Sequence, residues 1–351
     1  MRIGAPLVVG GIAAAALTAS RLRRRTSIDL AGQVALITGG SRGLGYLLAR
    51  ELGREGCRIA ICARDAVELE RAREALAAER IEALTVVCDV GDPAQVERMV
   101  ATVAARLGPV DLLVNNAGII QVGPVEQMGV ADFEQAMASM YWGVVYPTLA
   151  VLPGMRDRRA GRIVNITSIG GKVSVPHLLP YSSAKFAAVG FSEGLRAECA
   201  RDGIRVTTVV PGLMRTGSHI NALFKGERGR EFTWFSLGAS LPLISMDAER
   251  AARQIVAAAR RGDAERVLSV PATLLTLFHG IAPGVTTNLL GAVDRFVLPP
   301  PPPEAVPSKA GRDVAREQPS RLRDALTTLG RTAADRNLER PAPSPIEAAR
   351  R

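Results

Sequence analysis

Thr38-Gly39-Gly40-Ser41-Arg42-Gly43-Leu44-Gly45 follows a short apolar run, Val34 to Thr38, and leads into a segment with helical spacing, Tyr46 to Glu55. Glycines between a strand and a helix permit a tight turn and let the backbone approach a diphosphate at the helix N-terminus. At the first strand-to-helix junction of a chain the pattern predicts a dinucleotide site, with a plain flexible turn as the blander reading.

The rest of the chain agrees with that placement. Strand-like runs at Arg58 to Cys62, Leu84 to Cys88, Leu112 to Val114, Arg162 to Ile166 and Arg205 to Val210 alternate with helix-compatible segments such as Ala66 to Glu79. Such alternation predicts an α/β fold, a doubly wound parallel sheet with helices on both faces, built as one catalytic domain over 29–298.

The ends differ from this middle. Of the net charge of +10, residues 1–30 supply five Arg against one Asp, and residues 299–351 ten Lys or Arg against seven acids. The nearly balanced middle argues against nucleic acid as a partner and leaves a membrane surface as the better candidate. Ile3 to Ser20 is uncharged and apolar and is followed by Arg21, Arg23, Arg24 and Arg25. That segment, within 1–28, is expected to anchor the chain in a membrane with the catalytic domain on the cytoplasmic side. A helix docked on a cytoplasmic protein, or a cleaved signal, are the alternatives. The Pro299 to Pro303 run closes the globular part, and 299–351 is expected to be mostly disordered for want of apolar surface. Cys57, Cys62, Cys88 and Cys199 read as reduced, buried thiols, and His177, His219 and His279 are too scattered for a metal, so no metal site is expected.

Cofactor choice turns on the end of the second strand. A site for NAD usually offers an acid there to the ribose hydroxyls. This chain has Ala63, 24 residues after Gly39, and then Arg64. Arg64 and Arg42 can meet a 2′-phosphate, so NADP(H) is favoured. Asp65 would partly offset Arg64, and both arginines being simply solvated is the other reading.

Tyr181 and Lys185 stand four apart in Tyr-Ser-Ser-Ala-Lys, which places both on one face of a helix. A phenol of ordinary pKa becomes a useful proton donor or acceptor when a nearby ammonium favours its anion. Ser168 lies 13 residues upstream at a predicted strand end, placed to bind a substrate oxygen.

With the glycine loop, Asp89-Val90, Asn115-Asn116-Ala117-Gly118, Ser168, Tyr181 with Lys185, and Pro211-Gly212 with Thr216 in this order, the chain closely resembles the short-chain dehydrogenase/reductase family across about 33–216. The resemblance implies hydride exchange between NADP(H) and a carbonyl or alcohol, with Tyr181 handling the proton, Ser168 orienting the oxygen and Lys185 tuning Tyr181 and holding the nicotinamide ribose. It implies cofactor contacts from Thr38, Gly39, Ser41, Arg42, Gly43, Leu44, Gly45, Asp89, Val90, Asn116, Ala117, Gly118, Pro211, Gly212 and Thr216, and it makes a homodimer or homotetramer possible. One position departs from the pattern. The family's usual Asn three residues before Gly143 is Met140, with Ser139 and Tyr141 as neighbours that could substitute.

The family places its variable substrate loop at about 213–243, where Phe224, Phe232, Trp234 and Phe235 crowd an otherwise aromatic-poor chain. They predict a greasy pocket, hence a lipophilic substrate such as a sterol, retinoid or acyl-chain derivative; packing of a helical flap is the alternative. His177 is expected to face the substrate or to be solvated. The apolar, Pro- and Gly-interrupted 271–298 reads as a lid, an interfacial membrane segment or a packed terminal helix. A membrane-tethered NADPH-binding scaffold or sensor is the competing function, and interaction through the proline run and basic tail a third.

Overall fold

The computed structural model describes residues 27–340. The apolar runs become strands β1 Val34–Thr38, β2 Arg58–Ala63, β3 Ala83–Val87, β4 Leu112–Asn115, β5 Gly161–Ile166 and β6 Ile204–Pro211. A seventh, β7 Glu265–Leu268, is half charged and four residues long, and its sequence carries no strand signal. All pair in parallel in the order β7-β6-β5-β4-β1-β2-β3, the doubly wound topology that alternation predicts.

Helices α1 Gly43–Arg54, α2 Ala66–Ala78, α3 Pro93–Leu107, α4 Val130–Met137, α5 Gly143–Asp157, α6 Leu179–Glu198, α7 Arg228–Ser240 and α8 Ala248–Arg261 complete the main body. Successive strand residues face opposite sides, so each strand feeds two cores. Ala35, Ile37, Ile59 and Ile61 pack with Leu47 and Leu48 of α1 and Ile255 of α8. Leu36, Ala60 and Cys62 pack with Met99 and Val103 of α3 and Leu152 of α5. Each fully buried large aliphatic side chain among them stabilises the fold by about 1.5–3 kcal/mol. Side-chain caps set two helix starts: Asp65 accepts from the Val67 and Glu68 N–H groups, and Asp92 from those of Ala94 and Gln95. All four cysteines are free and buried.

Beyond β7 the sequence expectations need revision. Residues 271–298 belong to two helices in contact, α9 Val270–Ile281 and α10 Pro283–Phe296, which leave Leu274, Leu277, Ile281, Val285, Leu289 and Phe296 exposed. The proline run does not end the folded part, and the tail is not mostly disordered as far as it is described. Val306 donates to the Gln127 side chain, Lys309–Ala310 pair antiparallel with Leu223–Phe224, and helices α11 Gly311–Glu317, α12 Arg321–Leu326 and α13 Thr328–Arg336 follow. The tail has little apolar surface of its own, but the body supplies the other half of each contact. Val314 completes a cluster with Phe224, Phe232 and Phe235, the Arg323 guanidinium lies 4.9 Å over the Phe232 ring, and Ala333 and Ala334 are buried. Composition alone misses surface contributed by a partner element. The expected anchor at Ile3 to Ser20 lies outside the described residues, and no helix among those described is long and apolar enough to cross a membrane.

Candidate functional site

The chain leaves β1 for β2 on one side and returns to β4 on the other, which opens a crevice at the carboxyl ends of these two neighbours. Thr38 closes its floor. Its hydroxyl accepts from the Asn116 and Ala117 N–H groups at 3.0 and 3.1 Å, and Asn116 Nδ2 donates to the Thr38 and Gly39 carbonyls at 3.1 Å each. The glycines fill stereochemical needs. Gly39 has φ 65° and a Cβ there would lie 2.9 Å from Ala117 Cα; a Cβ on Gly45 would overlap the Gly39 carbonyl. Helix α1 begins at Gly43, φ 57°, without a side-chain cap. This glycine-lined cradle at a helix N-terminus that lacks a side-chain cap fits a dinucleotide diphosphate.

The other candidate residues lie at or just beyond the ends of β1, β2, β3 and β6. Ser41 donates to Glu68 at 3.2 Å, and Arg42 pairs with Glu68 and lies 3.5 Å from a Glu339 oxygen. Arg64 is exposed at the end of β2, and the Asp65 oxygen expected to offset it caps α2 instead. Asp89 accepts from the Gly91 N–H at 2.9 Å, and Val90 is buried against Gly143. Pro211 ends β6, the Gly212 N–H donates to the Leu268 carbonyl, and buried Thr216 accepts from the Ser218 N–H at 3.1 Å.

Ser168, Tyr181 and Lys185 converge. Ser168 follows β5 with its hydroxyl accepting from the Gly170 N–H at 3.0 Å, and that hydroxyl lies beside the Tyr181 phenol, whose anion it favours. A Cβ on Gly170 would lie 3.1 Å from the Tyr181 ring, so the absent side chain lets helix α6 approach. Lys185, one turn on, is buried; its Nζ donates to the Ile166 carbonyl at 2.8 Å and lies 5.9 Å from the Tyr181 ring centre. Burial raises the Tyr181 pKa, opposed by the Ser168 hydroxyl, and burial lowers Lys185 to about 8. Tyr181 is therefore a neutral, protonated phenol at pH 7.

Met140 occupies a π-helical turn, Ala138–Trp142, fully buried with Ala136 and Ala184 and packed against by the partly buried Tyr181. A Cβ on Gly118 would meet Met140 Cγ at 3.2 Å and Lys185 Nζ at 3.9 Å, so both side chains border Gly118. Ser139 keeps a buried hydroxyl without a protein partner. Asn115 turns away from the crevice. Its Nδ2 donates to Thr148 at 3.0 Å and to Asn165 at 2.8 Å, Asn165 donates to Ser192 at 2.9 Å, and Ser192 meets Thr208 at 2.7 Å, a buried polar chain from β4 through β5 and α6 to β6.

Several residues near the site carried no sequence signal. Asn337 Nδ2 donates to the Thr216 carbonyl at 3.1 Å, Asn221 Nδ2 donates to Glu339 at 2.8 Å, and Arg71 donates to the Leu338 and Arg340 carbonyls. Their positions follow from the fold of the tail, which no local pattern announces. His177 is not solvated. It is 7% exposed at φ 62°, with Nδ1 2.8 Å from Glu231 and Nε2 3.2 Å from Asp294 of α10. Glu231 also accepts from Trp234 at 2.6 Å. Phe224, Phe232 and Phe235 pack edge to face in the cluster that Leu178 and Tyr181 adjoin, so they wall the tyrosine side of the crevice more than they line an open pocket.

Comparison with known proteins agrees with this arrangement. A family model described as short chain dehydrogenase matches residues 33–223. A putative ketoacyl reductase of Streptomyces coelicolor is 42% identical over 186 residues, covering 52% of this chain and 71% of that protein. Among solved structures, a variant of actinorhodin polyketide ketoreductase with NADPH aligns with TM-score 0.60 and 32% identity over 69% of this chain and 97% of the other. A gluconate 5-dehydrogenase from Burkholderia cenocepacia in complex with NADP and tartrate aligns with TM-score 0.60 and 28% identity over 70% and 96%.

Proposed function

This chain belongs to the short-chain dehydrogenase/reductase family, and from that premise we propose that, as an NAD(P)-dependent oxidoreductase, it uses NADPH to reduce the carbonyl group of a lipophilic substrate. The observation that carries the proposal is the convergence of Ser168, Tyr181 and Lys185 beside the glycine-lined crevice.

The bound nicotinamide supplies the hydride. Ser168 and Tyr181 hold the substrate oxygen between two hydroxyls, and Tyr181, kept neutral by burial, releases its proton to that oxygen. Lys185, fixed on the Ile166 carbonyl, presents positive charge beside the phenolate that results. Arg64 and Arg42 favour a 2′-phosphate over a bare ribose. The preference for NADPH is supported by the solved relatives holding NADPH or NADP. The substrate reading rests on the aromatic wall next to Tyr181 and the ketoacyl and polyketide names of the relatives. The exposed apolar residues of α9 and α10 support contact with a membrane surface, where such substrates collect.

The test is cofactor oxidation across a panel of long-chain and polar carbonyls with NADPH and NADH in parallel. The proposal expects turnover concentrated on the apolar compounds with NADPH; equal rates on small polar carbonyls would contradict it. One observation favours a second reading, an NADPH-binding sensor of weak activity: Met140, buried where the family usually has an Asn, offers no amide to relay protons. Tight NADPH binding with no turnover across the panel would select it.

A further inference from the structure

The end of the described chain lies on the seat that the diphosphate needs. Asn337 accepts the Gly43 N–H at 2.7 Å, which is the first N–H of α1. The Glu339 side chain, 5% exposed, sits so close that a Cβ on Gly43 would overlap its Oε1. Asn221 Nδ2 donates at 2.8 Å to both the Glu339 carbonyl and Oε2, and Arg42 Nε lies 3.5 Å from Oε2. Arg71 holds the flanking Leu338 and Arg340 carbonyls. Across the crevice, Asn337 binds the Thr216 carbonyl and Ala334 packs on Gly217, φ 94°. A carbonyl thus takes the first N–H of α1 and a carboxyl fills the space over Gly43, bridging the two loops between which a diphosphate would lie.

We propose that residues 328–340 are a latch that holds the diphosphate seat closed, with the Asn337 carbonyl on the Gly43 N–H and the Glu339 side chain over Gly43, so that the dinucleotide and the docked tail exclude each other. The inference rests on the cofactor reading above. The exclusion is geometric: the Gly43 N–H and the space over Gly43 serve one occupant at a time. The latch is also suited to leave. Helices α11, α12 and α13 have seven, six and nine residues, too short to persist apart from the body, so the segment docks or releases instead of standing rigid. Burial pushes the Glu339 carboxyl up to about 7 against the pull of Arg42 and the Asn221 hydrogen bond, so its charge is held at a cost that release recovers. A closed majority reduces apparent cofactor affinity by the fraction of molecules that are open.

The test is NADPH titration of the full chain by cofactor fluorescence, with hydrogen exchange of 328–340 measured with and without NADPH. Two variants open the latch by different routes. Glu339→Lys places an ammonium against Arg42 and Arg71, and Ala334→Arg has no room against Gly217. Both are expected to bind NADPH at least about tenfold more tightly than wild type, and saturating NADPH is expected to deprotect 328–340 in wild type. Unchanged affinity in both variants overturns the latch alone. So does weaker binding with protection retained, which would make the tail a clamp on bound cofactor. Failure of every form to bind any nicotinamide dinucleotide overturns the cofactor reading and the latch with it.

Discussion

Lys185 Nζ stands 5.9 Å from the centre of the Tyr181 ring while donating to the Ile166 carbonyl at 2.8 Å, so the ammonium is held by backbone near the phenol without being bonded to it. The polar group that acts on the phenol is the Ser168 hydroxyl, and burial outweighs it. The arrangement keeps Tyr181 protonated in the resting protein and offers charge stabilisation once the proton has gone, which suits reduction.

Burial lowers Lys185 to about 8 from 10.5, and this gives the lysine a pH signature. Between those values the unfolded chain holds a proton that the folded one does not, so stability rises with pH across the window and is lost as pH falls through about 8. The urea midpoint of wild type should gain on that of Lys185→Met between pH 8 and 10. Reductive turnover should fall over the same range as the ammonium discharges. Parallel midpoints would show that the lysine is not desolvated as described.

Arg64 is the exposed cation at the end of β2, and Asp65 is committed to capping α2. Arg64→Asp should therefore lower the ratio of NADPH to NADH affinity by about 10- to 100-fold, the worth of a charge-assisted phosphate contact. An unchanged ratio in paired titrations would leave Arg64 a surface charge.

Ser192 joins Asn165 to Thr208 in the interior, where a lost partner leaves a buried polar group unsatisfied. Ser192→Ala should destabilise the fold by about 1–3 kcal/mol in denaturant unfolding, with NADPH affinity little changed. A cost near zero would mean that water enters to replace the hydroxyl.

The Glu339 carboxyl faces Arg42 of the glycine loop, Glu68 and Arg71 of α2, and the Asn221 amide. Its docked value of about 7 lies above the ordinary value of 4.5, so docking takes up a proton. The docked state is then favoured at low pH and weakens as pH rises through about 7. Apparent NADPH affinity should tighten from pH 6 to 8 in wild type, beyond any change seen in Glu339→Gln, whose side chain carries no titrating proton. Identical profiles for the two would remove Glu339 as the source.

The sheet, the glycine loop and the pairing of Tyr181 with Lys185 were legible because each rests on local spacing: strand periodicity, a junction glycine pattern, and one helical turn between Tyr181 and Lys185. Ser168, 13 residues upstream of Tyr181, was joined to them only through the family resemblance. β7 was not, since Glu265 and Arg266 on an edge strand conceal the apolar pattern. The tail was misjudged for a related reason. Val314, Ala333 and Ala334 are too few to suggest a packed segment, and their partners Phe232, Phe224 and Gly217 lie far away in sequence. His177 shows the same limit, because only the fold brings Glu231 and Asp294 to its ring.

In the proposed reaction the Tyr181 phenol gives its proton to the substrate oxygen. Single-turnover oxidation of NADPH by a lipophilic carbonyl, comparing wild type with Tyr181→Phe at saturating cofactor, tests it most directly. The account predicts a rate lower by about 10²- to 10⁴-fold in the variant with NADPH affinity unchanged. A variant that turns over at the wild-type rate would contradict it.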